Sequence, residues 1–297
     1  RFAKLWRLIL QENPKNRMNY TLEELIHEAG KLPPIPQVAQ KALALVRDTE
    51  TNMGELAHVI GSDQVLAARM LRWANSAHYG MGNQIATVQQ ALVILGMNTV
   101  QELILIHSLS NHFNRPLPGY DLQRGELWRH ALSTAIGAKL ISKQQHLNID
   151  EEAYFAGLLC DIGKLIFEKL LLESNINQLR DEQVSFLDME RANFGIDHAL
   201  LGAEIVRSWN LPENLVNAIA YHHEPQSAPA HSLLAAVVHL ANVTTMLLGV
   251  GIGIDGLRYT LDVDVLKSLH MTEEDLPHLI SNVSDQLIET LDLFSLG

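Results

Sequence analysis

Apolar residues recur along most of the chain at the three- and four-residue spacing of amphipathic α-helices, and capping residues precede several of these runs. Asp63 is placed to cap a helix over 65–73, and Thr87 with Gln90 forms a capping box before another. Asn98 stands at the start of a third helix. No run shows the sustained alternation and β-branched enrichment that are typical of strands. The pattern therefore predicts an all-α fold.

A break rich in proline and glycine divides this helical pattern. Pro116, Pro118 and Gly119 interrupt it, and the break is shorter than a flexible linker. We therefore expect a helical extension over 1–20, a helical lobe over 21–115 and a second helical lobe over 119–297, with 21–297 packed as one unit. In the second lobe the pattern predicts helices over 123–145, 151–172, 186–194, 198–209, 212–223 and 231–248, and a last helix boxed by Thr272 and Asp275.

Composition and charge narrow the class of protein. The chain has 297 residues, of which 47% are hydrophobic and 19% charged, so it is long enough for one or two domains and too apolar for intrinsic disorder. Its net charge of −12 disfavours nucleic acid and anionic lipid surfaces as partners. The single cysteine, Cys160, excludes an intramolecular disulfide and fits a cytoplasmic protein. The chain begins at Arg1 rather than Met, which leaves open that it is a piece of a longer protein.

Two apolar stretches resemble membrane segments, and for both we favour a helix that belongs to the folded protein. Residues 2–9 form a short apolar stripe among basic residues, but a terminal helix that docks on its own domain is more common than a membrane-surface helix of this length. The run 233–250 is nearly long enough to span a bilayer, yet it carries His239, Asn242 and two threonines. We expect it to be a buried core helix.

The second lobe carries the residues that are suited to metal chemistry. Glu126 and His130 lie four positions apart on one predicted helix and so share a face. Asp161 stands in an otherwise apolar predicted helix, with Lys164 three residues later, and a buried carboxylate needs a cationic partner. Imidazoles with one or two carboxylates suit Fe, Mn or Zn. The candidate imidazoles downstream are His198, His222 and His223.

Each of these patterns has a structural interpretation as well. Glu126 with His130 is compatible with a solvated pair, Asp161 with Lys164 is compatible with an intrahelical ion pair, and the later histidines are compatible with ordinary helix-end residues. Cys160 is more typical of a small buried side chain than of a nucleophile. Spacing alone does not decide between a site and a packed core.

The N-terminal lobe carries motifs that resemble those of a bacterial signalling family. The stretches are Leu32-Pro33-Pro34-Ile35-Pro36, Trp73-Ala74-Asn75-Ser76-Ala77 and Ile85-Ala86-Thr87-Val88-Gln89-Gln90-Ala91-Leu92-Val93-Ile94-Leu95-Gly96. They are similar to the HDOD domain, which is related to the HD phosphohydrolases, over about residues 20–221. The resemblance implies an HD-like fold of many helices with an additional N-terminal helical lobe.

The second lobe is similar to the metal-site half of HD and HD-GYP phosphodiesterases. In that pattern a Glu and a His four apart, a His-Asp doublet before Gly-Lys, a lone His, a His-His doublet and a final Asp bind two or three metal ions. The resemblance carries metal ligation over to Glu126, His130, Asp161, His198, His222 and His223.

Two positions depart from this pattern, because Cys160 replaces the doublet histidine and Asn242 replaces the final aspartate. A Gly-Tyr-Pro stretch that would follow the His-His doublet is also missing at 225–229. As the resemblance implies, one metal position is damaged and the other, at Asp161 and the three later histidines, is intact.

The damaged pattern leads us to expect a cytoplasmic signal-transduction module with a degenerate HD-type metal site and little or no catalysis. The alternative is a metal-dependent phosphohydrolase that acts on a nucleotide or another phosphoester, with Asp161 and Lys164 as catalytic residues and Glu126 or Cys160 completing the metal site. A metal-free helical scaffold is the third interpretation. We expect one divalent ion (Fe, Mn or Zn) at partial occupancy, protein partners, neither nucleic acid nor membrane, and room for a phosphorylated small ligand.

Overall fold

A computed structural model describes residues 51–76, 85–173, 185–209, 211–229 and 232–295, together with residues 24, 25, 37, 38, 41, 42 and 45. In these residues the secondary structure is helical, and the one β pairing is an isolated bridge between Leu117 and Leu122. The predicted all-α fold is confirmed. The expected extension over 1–20 and the proline-rich motif at 32–36 lie outside the described residues.

The helices follow one another with short connections. Three precede the proline-rich break: α1 (Met53–Gly61), α2 (Gln64–Ala74) and α3 (Val88–Phe113). Nine follow it: α4 (Glu126–Gln144), α5 (Asp150–Leu159), α6 (Lys164–Glu173), α7 (Phe186–Phe194), α8 (His198–Ser208), α9 (Glu213–Ala220), α10 (Leu233–Leu247), α11 (Val263–Ser268) and α12 (Leu276–Ser295). Short 3₁₀ turns lie at Pro118–Tyr120, Pro225–Ser227, Gly256–Arg258 and Glu273–Asp275. By their contacts the residues form two compact units, one built mainly from Phe113–Ser284 and the other mainly from Pro33–His112.

Capping residues set several helix starts where the sequence predicts them. Asp63 Oδ1 accepts the backbone N–H groups of Val65 and Leu66 at 3.0 Å, and so begins α2. The Thr87 hydroxyl and the Gln90 side chain form the reciprocal bonds of a capping box before α3. The same device, between Thr272 and Asp275, precedes α12.

Gly96 interrupts α3 with a backbone conformation that is not helical, at φ 74° and ψ 159°. The interruption lies between the two helices that the sequence predicts on either side of it. By length and composition Val88–Ser110 is the one candidate membrane span in the described part of the chain, and half of its most apolar window is buried inside the protein. Because Gly96 divides it, neither part reaches the roughly 20 helical residues that a span needs.

One predicted helix is wrong in its extent. The sequence predicts a continuous helix over 151–172, but the structure has α5 and α6 with a turn between them at residues 160–163. Gly163 explains the turn, because a Cβ there would lie 1.9 Å from the backbone oxygen of His198. The chain bends so that α6 can begin directly against α8, and Asp161 therefore lies in a turn rather than inside a helix.

The larger unit has α10 in its core. The side chains of α10 from Leu234 to Met246 are buried, including the polar Asn242, which confirms the core helix that the sequence predicts over this run. Helix α10 packs against α4, α5 and α9, and α4 packs against α5. The turn at 160–163, the start of α8 and the end of α9 meet beside these helices, and this is where the candidate site lies.

Candidate metal centre

Four side chains from three separate segments converge in the larger unit. They are Asp161 in the turn after α5, His198 as the first residue of α8, and His222 with His223 just after α9. One possible ligand atom from each lies within 4.8 Å of those of the other three. The structure thus brings together the four residues that the resemblance assigns to the intact metal position, whereas their binding of a metal stays a prediction.

The cluster is closed on most sides. Asp161, His198 and His222 have no exposed surface, and His223 is partly exposed. The Nε2 atoms of His198 and His223 are 3.0 Å apart, and Asp161 Oδ1 lies 3.4 Å from His198 Nε2. Bonds of about 2.0–2.2 Å to one ion place neighbouring ligand atoms about 3.0–3.5 Å apart. These two separations fit a shared ion.

His222 presents an unused nitrogen to the cluster. Its Nδ1–H donates to the backbone oxygen of Ile219 at 2.8 Å, which leaves the lone pair on Nε2. Nε2 lies 3.8 Å from Asp161 Oδ1 and has no hydrogen-bond partner among the described residues, although it is buried. Burial lowers the pKa of His222 to about 3, so the ring stays neutral. A buried neutral imidazole with a free lone pair fits a metal ligand.

His198 is oriented by a buried carboxylate, that of Glu190 in α7. Glu190 Oε2 lies 2.7 Å from His198 Nδ1 and also accepts the His198 backbone N–H at 2.9 Å, while Glu190 Oε1 accepts the Tyr120 hydroxyl at 2.8 Å. Burial opposes a positive charge on the ring, but Glu190 and Asp161 outweigh it and raise the pKa of His198 to about 10. The same negative potential favours a cation bound at Nε2.

Sequence reasoning missed Glu190. A signal was available, because Glu190 follows the buried Phe186 by four positions and so lies on the apolar stripe of α7, where an unpaired carboxylate is costly. Its burial is complete, with no exposed surface.

Lys164 links the cluster to a second carboxylate that sequence reasoning also missed. Its Nζ lies 3.0 Å from Asp161 Oδ1 and 2.7 Å from Asp255 Oδ2. Burial disfavours the ammonium ion, but Asp161 and Asp255 outweigh it and raise the pKa of Lys164. Burial also raises the pKa of the Asp161 carboxyl, while Lys164 and the adjacent histidines outweigh it and hold that pKa well below its usual range. Lys164 and Asp161 are therefore both charged.

The second ion position of the family pattern is occupied by the protein's own contacts. His130 Nε2 lies 2.7 Å from Asn242 Oδ1 and 3.2 Å from Asp161 Oδ2, and His130 Nδ1 lies 2.9 Å from the backbone oxygen of Val250. Cys160 is fully buried, its thiol faces the backbone oxygen of Gly157 at 3.3 Å, and burial raises the pKa of that thiol well above its usual value. The position thus has an amide and a thiol where two anionic or imidazole ligands would be required.

Glu126 does not join the cluster. One oxygen of its carboxylate accepts the backbone N–H of Gln123 at 2.6 Å, and the other lies 3.8 Å from the Arg129 guanidinium. Glu126 is the first residue of α4, where a carboxylate is stabilised by the N–H groups of the helix start. Its carried-over role as a ligand is not supported by this geometry.

An aromatic ring covers the partly exposed side of the cluster. The ring of Tyr259 stacks on His223 with centroids 4.0 Å apart and an interplanar angle of 17°. The Tyr259 hydroxyl donates to Asp255 Oδ2 at 3.3 Å. Tyr259 and Asp255 therefore connect the His223 face to Lys164 and so to Asp161.

Comparisons with known proteins agree with this architecture. A family model described as HDOD domain matches residues 32–225. An uncharacterized protein of Treponema pallidum (strain Nichols) is 30% identical over 228 residues, which cover 73% of this chain and 43% of that protein, so the chain spans less than half the length of this relative.

Solved structures also resemble the chain. A protein of Marinobacter aquaeolei VT8, provisionally named a signal transduction protein, has a TM-score of 0.70 at 22% identity, covering 99% of this chain and 65% of that one. A protein of Shewanella amazonensis SB2B, provisionally named a phosphohydrolase, has a TM-score of 0.67 at 24% identity, covering 88% of this chain and 93% of that one. At these identities the likeness shows a shared fold.

Proposed function

The chain belongs to the HDOD domain family, and from this premise we propose that it is a signal-transduction module that binds one divalent cation and has little or no hydrolytic activity. The proposed ligands are Asp161, His198, His222 and His223, which supply one carboxylate and three imidazoles. This donor set suits Zn, Fe or Mn. A bound divalent cation would supply Lewis acidity toward a phosphate oxygen.

The observation that carries the proposal is the state of the second ion position. Both nitrogens of His130 are engaged, by Asn242 and Asp161 on one side and by Val250 on the other. Cys160 keeps its proton, and an amide oxygen carries no charge. Two-metal phosphoester hydrolysis stabilises both the attacking and the leaving oxygen, so a chain that binds one ion lacks half of this stabilisation.

The enclosure of the four ligands supports the same proposal. Structural metal sites are closed by four protein ligands, whereas catalytic sites keep an open position for substrate or water. Here three of the four ligands have no exposed surface, and Tyr259 covers the fourth. A phosphoester therefore has little access to the proposed ion.

We also propose that the module acts on protein partners in the cytoplasm. The net charge of −12 repels nucleic acid and anionic lipid, and the single cysteine is buried rather than placed for a disulfide. The names of two structural relatives, for signal transduction and for phosphohydrolysis, make a signalling role and a lost or reduced activity the two family-level functions to separate.

The experiment restores the family pattern with Cys160→His plus Asn242→Asp and compares it with the parent chain. Both proteins are purified without a metal-affinity step, and metal content is measured by elemental analysis. Hydrolysis of bis-p-nitrophenyl phosphate and of a cyclic dinucleotide is measured with Zn²⁺, Mn²⁺ and Fe²⁺. The control is Cys160→Gln, which adds a side chain of similar size to histidine and no imidazole.

We expect about one ion or less per parent chain, no turnover by the parent, and a higher metal content in the restored variant but not in the control. A parent that turns over either substrate at about 1 s⁻¹ or faster, an ordinary enzyme rate, contradicts the proposal and supports a metal-dependent phosphohydrolase. A parent that binds none of the three ions supports a metal-free scaffold instead.

A further inference from the structure

We propose that α7, although none of its described residues is among the four candidate ligands, positions the metal centre through the adjacent residues Glu190 and Arg191. Glu190 orients one ligand ring, and Arg191 connects the two chain segments that carry three of the ligands. The inference rests on the proposed function, because it names the residues that set the affinity of that site for its ion.

Arg191 joins the start of α8 to the segment after α9. Its Nε donates to Asp197 Oδ2 at 2.6 Å. Its Nη1 and Nη2 donate to the two oxygens of Glu224, at 2.9 Å and 2.7 Å. Asp197 immediately precedes His198, and Glu224 immediately follows His223. The planar guanidinium thus connects the neighbours of two candidate ligands through three directed bonds.

Asp197 transmits this connection rigidly. It has no exposed surface, and its other oxygen, Oδ1, accepts the backbone N–H of Leu200 at 2.8 Å as the N-cap of α8. The carboxylate therefore cannot follow Arg191 without moving the first turn of the helix, which carries His198. A displacement of Arg191 or Glu224 changes the separation of the His198 and His223 rings, whose Nε2 atoms are 3.0 Å apart.

Glu190 acts on the ring itself. Its Oε2 accepts the His198 backbone N–H and lies 2.7 Å from Nδ1, while Oε1 accepts the Tyr120 hydroxyl. These contacts hold the carboxylate in one orientation, and they place the ring proton on Nδ1 so that Nε2 faces Asp161. An imidazole that donates to a carboxylate is a stronger ligand than a free one.

The partly exposed position of Arg191 separates metal affinity from overall stability. About a third of its side chain is exposed, as is 45% of that of Glu224, and ion pairs at that exposure contribute little to folding. Residues that orient metal ligands, in contrast, typically change metal affinity by about 10–100-fold when they are replaced. Loss of Arg191 is therefore expected to weaken binding much more than it destabilises the fold.

Equilibrium dialysis against Co²⁺, with the Co²⁺ absorption spectrum as a second readout, tests the inference in the full chain. The variants are Glu190→Gln, which keeps the shape and removes the charge, Arg191→Met, and Arg191→Lys, which can reach only one of the two carboxylates. The matched control is Arg207→Met, because Arg207 contacts two carboxylates, those of Glu204 and Glu213, and connects no candidate ligand. Far-UV circular dichroism checks the fold of each variant.

We expect Kd to rise about 10-fold or more for Glu190→Gln and Arg191→Met, less for Arg191→Lys, and less than about threefold for Arg207→Met. The Co²⁺ bands should shift in Glu190→Gln and stay unchanged in Arg207→Met. If Glu190→Gln does not fold, Arg191→Met decides. A Kd within about threefold of the parent for Arg191→Met overturns the inference alone. A parent chain that binds no Co²⁺ overturns the proposed function and the inference with it.

Discussion

Replacing Gly163 with alanine should separate α6 from α8 and disrupt the metal centre between them. A Cβ at this position would lie 1.9 Å from the backbone oxygen of His198 and 2.7 Å from the backbone nitrogen of Gly202. Both atoms belong to the backbone, so no side-chain rotation relieves the clash. Ordinary contacts begin near 3.4 Å, and the two helices must therefore move apart by about 1.5 Å.

The magnitude follows from this displacement. Overpacking of a well-packed core costs about 1–3 kcal/mol, and a clash against two backbone atoms belongs at the upper end of that range. The separation between Asp161 Oδ1 and His198 Nε2, now 3.4 Å, would grow by a similar distance to about 5 Å, beyond the roughly 4.2 Å that two ligand atoms on one ion can span. We expect Gly163→Ala to lose about 3 kcal/mol of unfolding free energy and its affinity for Zn²⁺.

Urea unfolding with and without Zn²⁺ measures both effects. The control is Gly61→Ala at the end of α1, where a Cβ would meet no atom within 4 Å and the backbone is not left-handed. That change should leave the unfolding free energy equal or raise it by up to about 1 kcal/mol. A Gly163→Ala chain within about 0.5 kcal/mol of the parent, with its Zn²⁺ stabilisation retained, would refute the reasoning.

Three further predictions concern other parts of the chain. Gly96→Ala should cost about 1–3 kcal/mol in urea unfolding despite open space around it, because its φ of 74° and ψ of 159° are accessible almost only to glycine, and an unchanged midpoint contradicts this. Cys160 should react with a thiol reagent at pH 8 only after unfolding in urea, since its thiol is buried and protonated; labelling of the native chain would show a different site geometry. Partial burial raises the pKa of Asp63, but bonds from the α2 backbone and His107 outweigh it and lower that pKa below 3.8. The stabilisation should be present above pH 4 and lost as the pH falls through the lowered value, more in the parent than in Asp63→Asn, and equal acid profiles would contradict it.

Local signals predicted the helix starts because a cap depends on residues that are adjacent in sequence. Asp63 and the pair Thr87 with Gln90 each satisfy backbone N–H groups within four positions, and the structure has these bonds. The turn at 160–163 depends instead on the approach of Gly163 to His198, 35 positions away, and no local pattern contains that information.

The candidate site was predictable only in part for the same reason. The family pattern identified Asp161 and the three histidines beside it, whereas Glu126 shares the helix face of His130 by spacing and yet contacts Gln123 and Arg129. Helical spacing states which side chains share a face and does not state which way a first-turn carboxylate turns. Glu190 and Asp255 reach the cluster through tertiary contacts that a single sequence does not encode locally.

The enclosure of the cluster has a consequence for kinetics. Three ligands have no exposed surface, and Tyr259 lies flat against His223 on the remaining side, so an ion can enter or leave only when that side opens. Release to a chelator should then proceed at the rate of local opening and level off as the chelator concentration rises. A site of modest affinity would in this way retain its ion for much longer than its equilibrium constant suggests, and the chain's metal content after purification would record the ions present when it folded.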